Sequence, residues 1–343
     1  MTGSTPRLIL MGTGPFAVPA FAALAAAGYE ILSVVTRPAR RVRSRQGAPP
    51  TPVREFAANH HLPLYDPPDV NDPAAIARLG ALSADLLVVC DFGQILRPET
   101  LAVARWGGIN LHGSLLPAYR GAAPVQWAIL SGDRITGVSV IHMTPRLDGG
   151  PIIGTAQTEI GDDETAGELE QRLALLGVAP TLAAVDRLAS WDGVEPLGQP
   201  QDPATVSRAP RLSKSDGRID WTQSATKIAC HVRGMQPWPG AYSELRFAPD
   251  KPPHRIVVRR VHVLGADQQD SLAVPADVAE SPGRLLSTTE LVVATGDGRL
   301  QIDRLQVAGR SEMTGQQFLR GHRLAIGTRL GDEPSGGYGS DSS

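Results

Sequence analysis

Arg7-Leu-Ile-Leu-Met11-Gly12-Thr13-Gly14-Pro15-Phe16-Ala17 carries an apolar run into a glycine turn and then onto a proline, and this order decides the fold. Arg7 to Met11 reads as a buried strand and Gly12–Thr13–Gly14 as a tight turn. Pro15 suits the first turn of a helix, where a missing N–H costs nothing. That helix is predicted to run to about Ala27, with Gly28 ending it and Ile31 to Thr36 forming the next strand. The alternation continues. Strands are predicted at Leu62–Tyr65, Leu86–Cys90, Gly108–His112 and Gly137–Met143, and helices near Pro52–His60, Pro73–Leu82, Pro98–Ala104 and Ala123–Ser131. A long helix from Thr165 to Ser190 closes the series. Apolar, β-branched strands separated by helices predict an α/β, doubly wound, mostly parallel, Rossmann-like sheet covered on both faces.

Beyond it, Trp191 to Arg208 is rich in Pro, Gly, Gln and Asp and reads as a linker. The pattern then changes to a helix at Ser224–Arg233 and strands near Tyr242–Arg246, Arg255–Val263, Leu291–Thr295 and Leu300–Leu305. Turns such as Gly296–Asp297–Gly298 suit a smaller, OB-like β-barrel. The expected division is a catalytic domain over 5–190, a linker over 191–208, a barrel over 209–331 and a disordered tail over 332–343. The length of 343 residues fits two domains, and 42% hydrophobic residues exclude wholesale disorder. A net charge of −2 excludes a globally basic nucleic-acid binder, so any RNA contact has to be local. Cys90 and Cys230 match no metal spacing and read as reduced thiols. Met1 to Pro6 lacks the features of a signal peptide, and no apolar run reaches about 18 residues, so a cytoplasmic protein without membrane contact is expected.

Gly12-Thr13-Gly14 after a strand also fits a dinucleotide fingerprint. The acidic residue expected at the end of the second strand is missing from Val34-Val35-Thr36-Arg37, although Arg37 could hold a 2′-phosphate. An NADP-linked oxidoreductase therefore stays open beside a turn that merely shapes the fold. Gly108-Ile-Asn110-Leu-His112-Gly113-Ser114 is more informative. Residues two apart on a strand share a face, so Asn110 and His112 project together at the carboxyl end, where open α/β sheets bind ligands. The alternative is a satisfied structural pair. Tyr119 and Arg120 follow closely enough to reach over the site, and Arg146-Leu-Asp148-Gly149-Gly150 puts a carboxylate on the same edge. Acyl transfer to an amine needs donors for a developing oxyanion and a route for the amine proton. Asn110 can donate, His112 can donate when charged, and Asp148 would favour the charged form. Ser114 lacks an elbow motif, which disfavours a Ser-His-Asp hydrolase.

Arg37, Arg40, Arg41, Arg43 and Arg45 place five arginines in nine positions, after the second strand and at the same edge. Such a cluster suits a phosphate backbone, and a solvated loop is the alternative. His254, Arg255, Arg259, Arg260 and His262 form a looser group that reads first as a solvated strand face.

Gly108-Ile-Asn-Leu-His-Gly-Ser-Leu-Leu-Pro-Ala-Tyr-Arg-Gly-Ala-Ala-Pro-Val-Gln126 resembles the signature of the folate-dependent formyltransferases. The likeness extends over Met11-Gly-Thr-Gly-Pro-Phe-Ala-Val-Pro19, Asp91-Phe-Gly-Gln-Ile-Leu-Arg-Pro98, Leu147-Asp-Gly-Gly150, Arg211-Leu-Ser-Lys-Ser-Asp-Gly-Arg-Ile-Asp-Trp221 and Pro237-Trp-Pro-Gly240. The resemblance implies that Asn110, His112 and Asp148 are catalytic and that Ser114, Leu115, Leu116 and Pro117 help hold tetrahydrofolate. It also implies 10-formyltetrahydrofolate as the donor, with no metal, and the amino group of initiator methionyl-tRNA as the acceptor. By the same resemblance Arg37 to Arg45 contact the acceptor arm, and the second domain offers a further RNA surface. A monomer is expected. Asp148-Gly149-Gly150 stands where relatives commonly have Asp-Thr-Gly, and arginines stand where lysines are common. A sugar-nucleotide amine is the rival acceptor, disfavoured by the arginine cluster. A binding module that has lost its chemistry is disfavoured by the presence of all three catalytic residue types.

Overall fold

The structure is a computed structural model that describes residues 5–39, 50–193, 197–247, 252–271, 274 and 280–331. Two compact units divide the chain. The first takes in the described residues of Met1–Ala128, Asp133–Asp162 and Gly167–Arg211. The second takes in those of Ile129–Gly132, Asp163–Ala166 and Leu212–Ser343. The predicted disordered tail, 332–343, lies outside the described residues, as do Arg40, Arg41, Arg43 and Arg45.

The first unit runs β1 (Arg7–Gly12), α1 (Val18–Ala26), β2 (Glu30–Val35), α2 (Pro52–Asn59), β3 (Leu64–Tyr65), α3 (Pro73–Gly80), β4 (Leu86–Cys90), α4 (Pro98–Leu101) and β5 (Gly108–His112). It continues with β6 (Arg120–Gly121), α5 (Pro124–Ser131), β7 (Ile135–His142), β8 (Ile152–Glu159), α6 (Ala166–Leu176), α7 (Val178–Ala189) and β9 (Arg208–Ala209). Four helices, α2 to α5, open on a proline, whose ring sets φ for a first turn that has no hydrogen bond to lose. The seven-stranded sheet has the order β3-β2-β1-β4-β5-β7-β8. It is parallel through β5 and antiparallel from β5 to β7 to β8. Ile9, Met11, Val35, Leu87 and Val89 are buried against Leu79 and Leu101, and these apolar strands fix the register that brings Gly12 beside Cys90.

Two features depart from the sequence reading. β8 was not foreseen, because its edge position leaves Thr155, Gln157 and Glu159 as an alternating polar face rather than an apolar run. The long helix is broken at Gly177 into α6 and α7. A Cβ there would stand 2.7 Å from Leu111 Cδ2, and Pro180 in the first turn of α7 has no N–H to give the preceding turn.

The segment predicted as a linker has partners in the first unit. Gln199 and Ile152 exchange two backbone hydrogen bonds of 2.8 Å, and β9 pairs in parallel with β6. Its composition reads as loop, while the free backbone groups of neighbouring segments satisfy its own.

In the second unit α8 (Ala225–Gly234) is capped by Ser224, whose hydroxyl accepts from the Lys227 amide. There follow β10 (Tyr242–Leu245), β11 (His254–Val263), α9 (Ala266–Ser271), β12 (Val292–Ala294), β13 (Arg299–Val307), β14 (Glu312–Thr314) and α10 (Gly315–Gly321). The antiparallel order is β10-β11-β13-β12, with β14 also on β13. Single bridges complete a ring: Val293 with Leu285, Arg284 with Arg329, and Leu330 with Leu245 of β10. The edge of β12 is thereby carried round to β10, which is barrel closure. Ile256, Val258, Leu300, Ile302, Leu305 and Phe318 are buried.

Candidate active site

β5 brings Asn110 and His112 to one face of the sheet's carboxyl edge, as their spacing predicts, and both line a cavity of about 460 Å³. Asp148 reaches the same cavity from the loop after β7. The imidazole Nε2 of His112 lies 2.9 Å from the carbonyl oxygen of Tyr119. A carbonyl only accepts, so Nε2 carries the proton and Nδ1 is the nitrogen left for the site. Nδ1 stands 3.8 Å from Asp148 Oδ2, and Asn110 Nδ2 donates to Asp148 Oδ1 at 3.5 Å. Both separations are wide, which leaves the amide and the imidazole free to engage a third group.

The carboxylate itself is held firmly. Gly121 N donates to Asp148 Oδ2 at 2.9 Å, and Gly121 sits in β6, pinned by β9. Asp148 has a left-handed φ of 48°, an uncommon conformation for a residue with a side chain. Gly150 is required for close approach: a Cβ there would fall 1.8 Å from the His142 carbonyl oxygen. Gln201 Nε2 donates to the carbonyls of Asp148 and Gly150, at 2.8 and 2.7 Å.

Ser114, Leu115, Leu116 and Pro117 do not line the cavity. Ser114 Oγ donates to the Ala118 carbonyl at 2.6 Å. Ser139 Oγ donates to the Ser114 carbonyl at 2.8 Å and accepts from Leu116 N at 2.9 Å. The segment is thus locked into the turn that presents the Tyr119 carbonyl to His112. Much of the cavity wall comes instead from Asp91 to Leu96, Met143 to Leu147 and Phe16. In the sequence Asp91 to Pro98 carries family likeness but no role of its own. Nothing in the sequence pattern marks this loop as cavity wall; only in the structure does Ile95 stand out, 69% exposed at its edge.

Two further carboxyl groups line the cavity, Asp91 and Glu170, and neither was foreseen. Burial pushes the Asp91 carboxyl up to about 6, against an opposing hydrogen bond from the Gly14 amide. The residue is itself exposed to solvent along the cavity wall. Burial, and then the neighbouring Asp91, raise Glu170. The Asp91 contact also decides the glycine turn. A Cβ on Gly14 would lie 1.8 Å from Asp91 Oδ2, so the chain's own carboxylate fills the place a pyrophosphate would take. The dinucleotide reading has no seat there.

Arg37 is exposed and passes over the cavity wall, where a Cβ on Gly93 would meet its Nη1 at 3.3 Å. The looser basic group on β11 is mostly engaged within its own unit. Arg255 lies 3.6 Å from the Tyr242 ring centre, Arg259 donates to Gln306, Arg260 pairs with Asp163, and His262 contacts Asp303. Among the described residues no helix is long and apolar enough to cross a membrane.

The model of the formyl transferases matches residues 7–185, and that of the formyl transferase C-terminal domain matches 211–323. The chain is 54% identical over 333 residues to a methionyl-tRNA formyltransferase of Rhodopirellula baltica, covering 94% of this chain and 96% of that protein. With the methionyl-tRNA formyltransferase of Methylococcus capsulatus it shares 40% identity over 332 residues, covering 95% and 99%. Among solved structures, the N-formyltransferase of Helicobacter canadensis, in complex with folinic acid and dTDP-3-aminofucose, superimposes with a TM-score of 0.59 at 14% identity. That match covers 87% of this chain and 98% of that one. HypX of Aquifex aeolicus with tetrahydrofolic acid gives 0.57 at 16% identity, covering 94% and 48%. At such identities these two likenesses speak to fold alone.

Proposed function

The chain belongs to the formyl transferase family, and on that premise we propose that it transfers the formyl group of 10-formyltetrahydrofolate to the amino group of methionine on initiator tRNA. The observation that carries the reading is the convergence of Asn110, Nδ1 of His112 and the Asp148 carboxylate on one cavity. The relatives that match over nearly their whole length bear the name of this activity, which supports the choice of acceptor.

The donor supplies an activated formyl carbon. Asn110 offers an N–H to the formyl oxygen as negative charge builds on it. His112, with Nε2–H given to Tyr119, presents the lone pair of Nδ1, which takes the proton that the attacking amine must lose. Asp148 stands close enough to stabilise the imidazolium so formed, and the imidazolium then protonates the departing nitrogen of the donor. No covalent intermediate on the protein is needed.

The cavity suits a flat, partly apolar ring system: Phe92, Leu96, Ile141 and Met143 supply apolar wall beside the backbone of the 91–96 segment. Ser114 to Pro117 support the folate side. Arg37 and the arginines at 40, 41, 43 and 45 take tRNA phosphates. The enzyme works as a cytoplasmic monomer.

The deciding experiment is formylation of initiator and elongator methionyl-tRNA in one assay with 10-formyltetrahydrofolate as donor. Rapid formylation of the initiator species is expected. Transfer to a sugar-nucleotide amine with none to either tRNA would reject the acceptor.

A further inference from the structure

The geometry points to Gln201 as a positioning residue that holds the catalytic Asp148 in place from a segment outside the sheet. This inference rests on the proposed activity. The Gln201 side chain is fully used. Its two N–H groups go to the carbonyls of Asp148 and Gly150, at 2.8 and 2.7 Å. Its Oε1 accepts from Nε and Nη2 of Arg120, at 3.1 and 2.7 Å. One amide therefore spans the Asp148-Gly149-Gly150 turn and joins it to β6, whose next residue, Gly121, donates to the Asp148 carboxylate. Backbone and side chain of Asp148 are thus fixed from two sides of a single network.

The loop needs such a clamp. Asp148 sits at a φ of 48°, which a residue with a Cβ holds only when its surroundings over-determine it. The two glycines that follow give the free chain more conformations than other residues would. Gly149 brings no side chain to restrain the turn, and space for one is tight, with Arg146 Cβ 3.0 Å and Arg120 Nη1 3.3 Å from a Cβ built there. Gln201 thus restrains from outside what the loop cannot restrain for itself. It does not line the cavity, so it acts on the reaction through Asp148.

The test is a double-mutant cycle on the full-length enzyme with initiator methionyl-tRNA, using Gln201→Ala, Asp148→Ala and the pair. Gln201→Ala is expected to lower kcat on the order of 10-fold to 100-fold, the scale of an ångström's misplacement. The KM for 10-formyltetrahydrofolate should change little. In the Asp148→Ala background the same change should add almost nothing, because the group it positions is gone. Gln201→Glu keeps an acceptor for Arg120 but turns an oxygen toward two carbonyls, so it should be no better than Gln201→Ala. Equal factors in both backgrounds, or an unchanged kcat with only a lowered melting temperature, would overturn the assignment. Should Gln201→Ala fail to fold, the activity of Gln201→Glu decides: a wild-type kcat there overturns it equally. Wild-type enzyme inactive on initiator methionyl-tRNA would reject the proposed acceptor instead, before any variant is compared.

Discussion

His112 shows how one carbonyl narrows the role open to a side chain. Because Tyr119 O claims Nε2–H, Nδ1 is the nitrogen left for the proposed proton transfer. His112→Ala should therefore lower kcat by about 10²-fold to 10⁴-fold, the range of a lost general acid–base, with folate KM nearly unchanged and some loss of melting temperature from the Tyr119 carbonyl left without its donor. Steady-state kinetics on folded protein checks this, and a wild-type kcat would remove the histidine from the mechanism. Asp91 makes a different kind of prediction. Its carboxyl is raised from 3.8 to about 6 by burial, so the folded state binds the proton more tightly than the unfolded chain. Stability contributed this way is present below the unfolded value and is lost as pH rises toward about 6, with no further change above. The denaturation midpoint of Asp91→Asn minus that of wild type should accordingly grow between pH 4 and 6 and then level off. A flat difference would contradict the shift. Asn110 and His112 were legible because a period of two places them on one face. Gln201 was not, since what it holds at the Asp148 turn are main-chain oxygens some fifty residues upstream, which no side-chain pattern announces.

Among the elements, those that begin on proline were the easiest to read, because proline fixes the same φ whatever surrounds it. Elements defined by tertiary context were hidden. Leu111 leaves no room for a side chain at Gly177, between α6 and α7, and β8 is a strand only because β7 lies beside it. The Asp148 loop depends on its neighbours in the same way. Gly150→Ala would drive a Cβ into the His142 carbonyl, a backbone atom that cannot swing aside. The expected loss of stability is about 1–3 kcal/mol, with activity falling further as Asp148 shifts. Urea unfolding together with kcat would show both. A variant as stable and active as wild type would mean the loop has slack.

At the scale of the whole molecule the net charge is only −2, so the proposed tRNA contact rests on the local cluster at 37–45. Alanine at Arg40, Arg41, Arg43 and Arg45 should raise the KM for tRNA strongly, flatten its salt dependence and spare the KM for folate. Equal effects on both substrates would remove the arginines from tRNA binding. The barrel class was legible from short strands and glycine turns, but its closure was not, because single bridges leave no periodic trace. That closure also sets an order of events during synthesis. The first unit has its last pairing strand once Ala209 has left the ribosome, whereas the ring in the second stays open until Arg329 and Leu330 emerge. Nascent chains arrested between these points should carry a protease-resistant first unit and a second that is still readily cleaved.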